Sequence, residues 1–374
     1  MGNSSASPDW SVLRDLFPAL DTCAYLDTAS SGPVSTPAAA AAKRFYGLSN
    51  AYGNKAASQW NADVDQCRQR IARLIGAAAA EIGFVPNTSM AMNVAALLFE
   101  GQGEVLTGAG EHPTVMTPWL ARGYTMRVAR PTTGKPLTIN AYADAITPET
   151  RVIAVSHVRF NDGQVNDLKA LSALARAYDA HLVVDIIQSA GILPVDVGIG
   201  IDVLGFAGFK WLNAGYGGGG LFVRDGLIER YGLPIAGNRS RRTEGLDEVT
   251  SLDPLLRAQA FELGTVPVPN LLALRASLDL IHSIGAGAIE ARVASLTARL
   301  RKGLDSLGIA YVSGEPISPI VSIGVSNPQT VHAGLEAAGV HVALRAGRIR
   351  AAVSWYNNET DIDRLLEALR TVAT

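Results

Sequence analysis

The chain has 374 residues, 32 of them basic and 34 acidic, for a net charge of −2. That length allows a large core and usually two lobes, and the near-neutral balance gives no electrostatic case for nucleic acid or an anionic membrane surface. Two cysteines, Cys23 and Cys67, argue against a disulfide scaffold and suit a reducing, cytoplasmic setting. The N-terminal MGNSSASPDW has no signal-peptide pattern, and Ala6 stands where a myristoylation site starting at Gly2 needs a hydroxyl. No apolar run approaches the roughly 20 residues of a membrane helix. The Ala-rich run 37–42 reads as helix. So does ADVDQCRQRIARLI, ending near Gly76, with Cys67 in phase with Val64, Ile71 and Leu74 and therefore in the core. A helix is expected from Ser89, a strand at VIAVS (152–156), and a helix over NDLKALSALARAYDA with Asn166 as its cap.

LVVDI (182–186) and VLGFA (203–207) are short, β-branched and without alternation, the pattern of buried parallel strands. Asp185 lies at the end of the first, Gln188 three residues on, and Lys210 shortly after the second. In open α/β sheets, ligands bind beyond the carboxyl ends of strands, so Asp185 and Lys210 should face one crevice. Alone, each has an ordinary explanation: a helix-capping acid, a surface lysine. Together they supply what pyridoxal phosphate chemistry needs, an acid to hold the pyridinium nitrogen and an amine to form a Schiff base and then move the Cα proton. Gln188 could donate to the ring's phenolic oxygen. Gly215 to Gly220 satisfies GxGxxG, but it precedes a strand, LFVR, and no helix, so a dinucleotide site is not expected.

After about residue 270 come long helical runs with Leu274, Leu278 and Ile281 on one face. PIVSIGVS, a helix around His332, strands at HVALR and RIRAAVSW, and a final helix capped by Asn358 follow. The expected fold class is α/β. A large, doubly wound, mostly parallel domain (51–265) is joined by an N-terminal arm (1–50), connecting helices and a smaller α+β lobe (266–374).

Eight segments, in this order and spacing, resemble the aminotransferase class V superfamily of pyridoxal phosphate enzymes. They are YLDTASSGPV (25–34), FVPNTSMAMNVAA (84–96), EHPTVMTPW (111–119), SHVRFNDG (156–163), DIIQS (185–189), GFKWLNAG (208–215), FELGT (261–265) and RAAVSWYNN (350–358). The resemblance implies a pyridoxal 5'-phosphate cofactor, no metal, and an amino-acid substrate. It implies a homodimer with shared active sites, in which Thr265 reaches the partner's phosphate.

Thr88, Ser89 and Met90 match a turn that opens a helix, where hydroxyls and amides suit a dianion. Ala207 and Phe209 stand where relatives place further phosphate donors, and other groups are expected to compensate. His112 matches a residue covering the cofactor face, for stacking or acid–base work, or is a rim histidine. The resemblance implies that Asn161 replaces an Asn that touches the phenolic oxygen in relatives, while His157 reads equally as a satisfied core histidine. Arg350 matches the guanidinium that grips the substrate carboxylate, with Arg345 and Arg348 as alternatives.

The segment GVHVALRAGRIR holds no cysteine, so a cysteine desulfurase is not expected. Schiff-base chemistry at Cα remains. β-Elimination of the C–S lyase type comes first, transamination close beside it, and epimerisation after them. Lys210, Asp185 and Gln188 argue against a catalytically silent binding protein.

Overall fold

The computed structural model describes residues 8–132, 135–242, 250–315 and 318–372. The start of the chain, with Gly2 and Ala6, lies outside the described residues. The apolar runs form one seven-stranded sheet, whose strands in chain order are β1 (Ile82–Val85), β2 (Glu104–Gly108), β3 (Met126–Ala129), β4 (Thr150–Ser156), β5 (His181–Asp185), β6 (Val203–Ala207) and β7 (Gly219–Val223). Their spatial order is β1-β7-β6-β5-β4-β2-β3, and only β7 runs against the rest. Helices cover both faces, which is why β5, β6 and β7 carry apolar residues at nearly every position. The parallel register aligns Ser156, Asp185 and Gly205 across three strands, at the carboxyl end of the sheet.

Helix Thr88–Leu98 lies against this sheet. A Cβ on Gly205 would come within 2.4 Å of the Ala91 Cβ, so only glycine lets the helix approach there. The helix starts at Thr88 rather than Ser89, because the Asn87 side chain caps it by accepting the Met90 N–H at 3.0 Å. The cap of the helix Leu168–Ala177 likewise moves by one residue. Asp167 accepts the Ala170 N–H, while Asn166 is drawn inward to donate to the Ser156 carbonyl at 2.7 Å. Cys67 is buried in the helix Ala57–Ile75, which ends at Gly76 in the left-handed conformation.

The helix Val268–Ile284 buries Leu271, Leu274, Leu278 and Ile281, each worth roughly 1.5–3 kcal/mol of apolar burial. Beyond it, strands Tyr311–Ser313, Ile320–Ile323, Ala343–Arg345 and Arg348–Ala352 form a second, antiparallel sheet, with Arg345 paired to Arg348 across a tight hairpin. Helices Ala286–Ser306, Pro328–Ala337 and Glu359–Val372 cover it. The N-terminal arm is built into this lobe. Ala24 and Tyr25 pair with Val340 and His341, Asp27 bridges to Ala352, and Arg14 binds Asp361 through both of its terminal nitrogens. Among the described residues, no single helix is long and apolar enough to cross a membrane.

Candidate active site

A cavity of about 450 Å³ opens at the carboxyl ends of β4 and β5 and just beyond β6. Asp185 and Lys210 both line it, as the strand-end argument requires. Asp185 is 2% exposed. Burial pushes its carboxyl up to about 6, against the Ile187 N–H that it accepts at 2.8 Å and the charge of Lys210. No other protein donor among the described residues reaches this carboxylate, so its Oδ2 is left for a ligand. Lys210 is half-buried as a whole residue, with its amine inside the cavity. Burial pulls that amine down to about 8, helped by Arg350 and Arg345 and opposed by Asp185 and Asp27. The arm passes directly over the lysine backbone. The Gly32 N–H donates to the Phe209 carbonyl at 2.9 Å, and a Cβ there would lie 2.2 Å from the Lys210 carbonyl oxygen.

Gln188 is buried and tied on both sides. Its Nε2 donates to the Ala29 carbonyl at 3.0 Å, and its Oε1 accepts from the Trp211 indole at 2.8 Å. One N–H remains for the cavity that it lines. His112 caps the helix Pro113–Ala121, its Nδ1 accepting the Thr114 N–H at 3.1 Å. That bond needs an unprotonated Nδ1. Burial, then the charges of Lys210 and Arg350, depress its pKa and favour the same neutral form. Its ring meets Phe160 edge-on at 4.8 Å.

At the helix end, Thr88 Oγ1 is buried without a hydrogen-bond partner. Ser89 Oγ and Thr114 Oγ1 lie 3.0 Å apart. The Met90 N–H is used by Asn87, and Met90 packs against the core instead of lining the cavity. Ala207 is buried, while Phe209 lines the cavity with its ring stacked on Tyr216 at 4.7 Å. Asn161 is not part of the lining; its neighbour Phe160 is. Thr265 is exposed and lies outside the cavity. His157 is a core histidine, bonded to Ser189 at 2.9 Å and lowered to about 4 by burial.

Arg350 is buried and lines the cavity. Its Nη1 donates to the Phe160 carbonyl at 2.9 Å, and its Nη2 to Ser30 Oγ at 2.6 Å and Asp27 Oδ1 at 3.2 Å. Arg345 reaches the same cavity from the hairpin tip, whereas Arg348 turns away to the Ser322 carbonyl.

Three residues that sequence reasoning missed belong here. Ser30 joins the two arginines. Thr114 meets Ser89 from 25 residues away. Glu111 is fully inside, accepting both the N–H of Ser156 at 3.0 Å and its hydroxyl at 2.5 Å, with burial raising its carboxyl to about 7. Each was within or beside a quoted motif. Only the fold brings their partners near.

These groups fit pyridoxal phosphate. Asp185 offers a buried carboxylate to a protonated ring nitrogen and Lys210 an amine. The partnerless Thr88 hydroxyl sits at the positive end of a helix, where a phosphate belongs.

The description "Aminotransferase class-V" matches residues 24–365. Over 97% of both chains the protein is 29% identical to a probable cysteine desulfurase of Methanothermobacter thermautotrophicus. It is 30% identical to another, of Aeropyrum pernix, again over 97% of each. Two solved structures of C-DES, described as a cystine C–S lyase, are each 25% identical. One, with glycine covalently linked to the PLP cofactor, has a TM-score of 0.89 over 98% of this chain and 100% of that one. The other, with the product cysteine persulfide, has 0.88 over 96% and 100%.

The desulfurase relatives correct the expectation that set this chain apart from such enzymes. A missing cysteine in one hairpin concerns one nucleophile in one step, whereas the likeness runs through the whole scaffold. The cofactor chemistry is that of pyridoxal 5'-phosphate, and the chain belongs to the class V aminotransferase family.

Proposed function

We propose that the protein cleaves the Cβ–S bond of a cysteine-type amino acid by β-elimination. The observation that carries this is one cavity holding a lysine amine brought down to about 8, a buried acid opposite it, and a buried arginine to orient a carboxylate. When bound, the cofactor supplies an electron sink for the pair left behind at Cα. Arg350 holds the substrate carboxylate through its guanidinium, already fixed by Phe160 and Ser30. Asp185 keeps the ring nitrogen protonated. Lys210, whose amine burial makes easier to deprotonate, takes the Cα proton. The sulfur leaves with the electrons of the Cβ–S bond and gains a proton, and water converts the remainder to pyruvate and ammonia. C-DES, a cystine C–S lyase, supports this choice.

The names of the desulfurase relatives favour a second reading, desulfuration of cysteine, in which sulfur passes to an acceptor thiol and alanine is the organic product. Transamination would instead return a keto acid with its sulfur intact. Incubating the cofactor-loaded protein with cysteine or cystine and measuring pyruvate, ammonia, alanine and the sulfur-bearing keto acid separates the three. Pyruvate and ammonia in equal amounts are expected, and Lys210→Ala should abolish them along with the long-wavelength absorbance of the bound cofactor. Alanine as the main product would replace elimination with desulfuration.

The exposed Thr265 is assigned to the phosphate of a second copy, in a homodimer with shared sites. The unpaired cysteines fit a cytoplasmic location.

A further inference from the structure

The charges around the cavity do not balance. Lys210 faces Asp185, and Arg350 is paired with Asp27 at 3.2 Å. Arg345 lines the same cavity, and among the described residues no carboxylate lies within 4 Å of it. Its guanidinium is held by its neighbours alone, donating to the Leu344 carbonyl at 3.2 Å and to Ser30 Oγ at 3.3 Å. Ser30 Oγ also accepts from Arg350 at 2.6 Å. One hydroxyl therefore holds two guanidiniums side by side, one buried and one at the mouth. Like charges so placed repel unless an anion neutralises them. The inner guanidinium has Asp27 for this. Among the described residues, the outer one has no such partner.

We propose that Arg345 selects substrates carrying a second, distal carboxylate. The α-carboxylate lies on Arg350 and the distal one on Arg345, with Ser30 setting the separation between the two guanidiniums. This deepens the proposed function and rests on Arg350 holding the α-carboxylate. A guanidinium at the exposed tip of a hairpin can meet a carboxylate of variable reach, which suits S-substituted cysteines ending in an acid.

Two ligands of matched size test it: S-carboxymethyl-L-cysteine, which has the distal carboxylate, and its carbamoylmethyl counterpart, which has an amide instead. Binding to the cofactor-loaded enzyme is measured by calorimetry, and product release separately. The wild type should prefer the carboxylate by about 10- to 100-fold, the worth of a charged hydrogen bond. Arg345→Gln should erase that preference by weakening the carboxylate ligand far more than the amide, and Arg345→Lys should restore part of it. Equal losses for both ligands would place Arg345 on the α-carboxylate and overturn the proposal. No preference in the wild type would also overturn it. If neither ligand binds, the proposal falls with the amino-acid reading itself. If the preference is seen and erased but no sulfur compound is released, the proposal stands and only the elimination reaction falls.

Discussion

The two walls of the cavity are built differently. Asp185, Ser156 and Gly205 lie in register on three parallel strands that are buried almost throughout. Arg345 and Arg350 come from a hairpin of the second sheet, and meet an arm from the far end of the chain through Ser30. The first wall is held by a hydrogen-bonded ladder and can position a costly buried charge with little freedom. The second is a junction of three segments, one of them an exposed tip. The proposed reaction would put bond breaking on the first wall and substrate choice on the second. The same contrast separates the residues expected to change rate from those expected to change affinity.

After the loss of Lys210, the largest effect is expected at Asp185. Asp185→Asn keeps the shape and the Ile187 bond but cannot hold the ring nitrogen protonated. Turnover should fall at least about a hundredfold, with KM little changed and the fold intact. Steady-state kinetics with circular dichroism check this, and unchanged turnover would reduce Asp185 to a structural acid.

A smaller effect is expected at the phosphate end, between the two walls. Thr88→Val removes the partnerless hydroxyl and should loosen the cofactor by about 10- to 100-fold, read as loss of cofactor on dialysis. Thr265→Ala should do the same only if a second copy supplies that threonine. Sedimentation showing a fully active monomer would exclude that role.

Glu111, beneath the rigid wall, is expected to affect stability and leave rate and affinity little changed. Its carboxyl is raised from 4.5 to about 7, with burial as the main cause. The folded protein thus keeps a proton that the unfolded chain gives up above 4.5. The stability this adds is complete below 4.5 and is lost as pH rises through 7. The loss is on the order of 3 kcal/mol. Glu111→Gln should flatten this dependence. Denaturant unfolding of the cofactor-free protein between about pH 5 and about pH 8 measures it. Equal slopes for the variant and the wild type would show that Glu111 keeps its charge throughout.

The rigid wall was legible in the sequence, and the adjustable one only partly. LVVDI and VLGFA announce their strands by β-branched runs, and a strand end converts directly into a site position. Arg350 was legible through the family motif. Its contacts with Ser30 and Asp27 join residues more than 300 apart, and no local pattern reports them. Helix caps failed by one residue at Asn166 for a similar reason. Asn and Asp both cap well, and what decides is the carbonyl of Ser156, which claims the asparagine. Glu111 was hidden because an acid beside a histidine looks like any loop acid until Ser156 is placed against it.

The arm carries a consequence for how the chain is made. Asp27 meets Arg350 across 323 positions of sequence, and Ala24 and Tyr25 find their strand partners only at Val340 and His341. During synthesis Ala24, Tyr25 and Asp27 emerge long before the strands and the arginine they meet. The large sheet can be complete, with Ala29 and Gly32 already on Gln188 and Phe209, while Ala24 to Asp27 still wait for their partners. The cavity therefore gains its substrate wall as one of the last events of folding, a slow, long-range closure that depends on the final stretch of the chain.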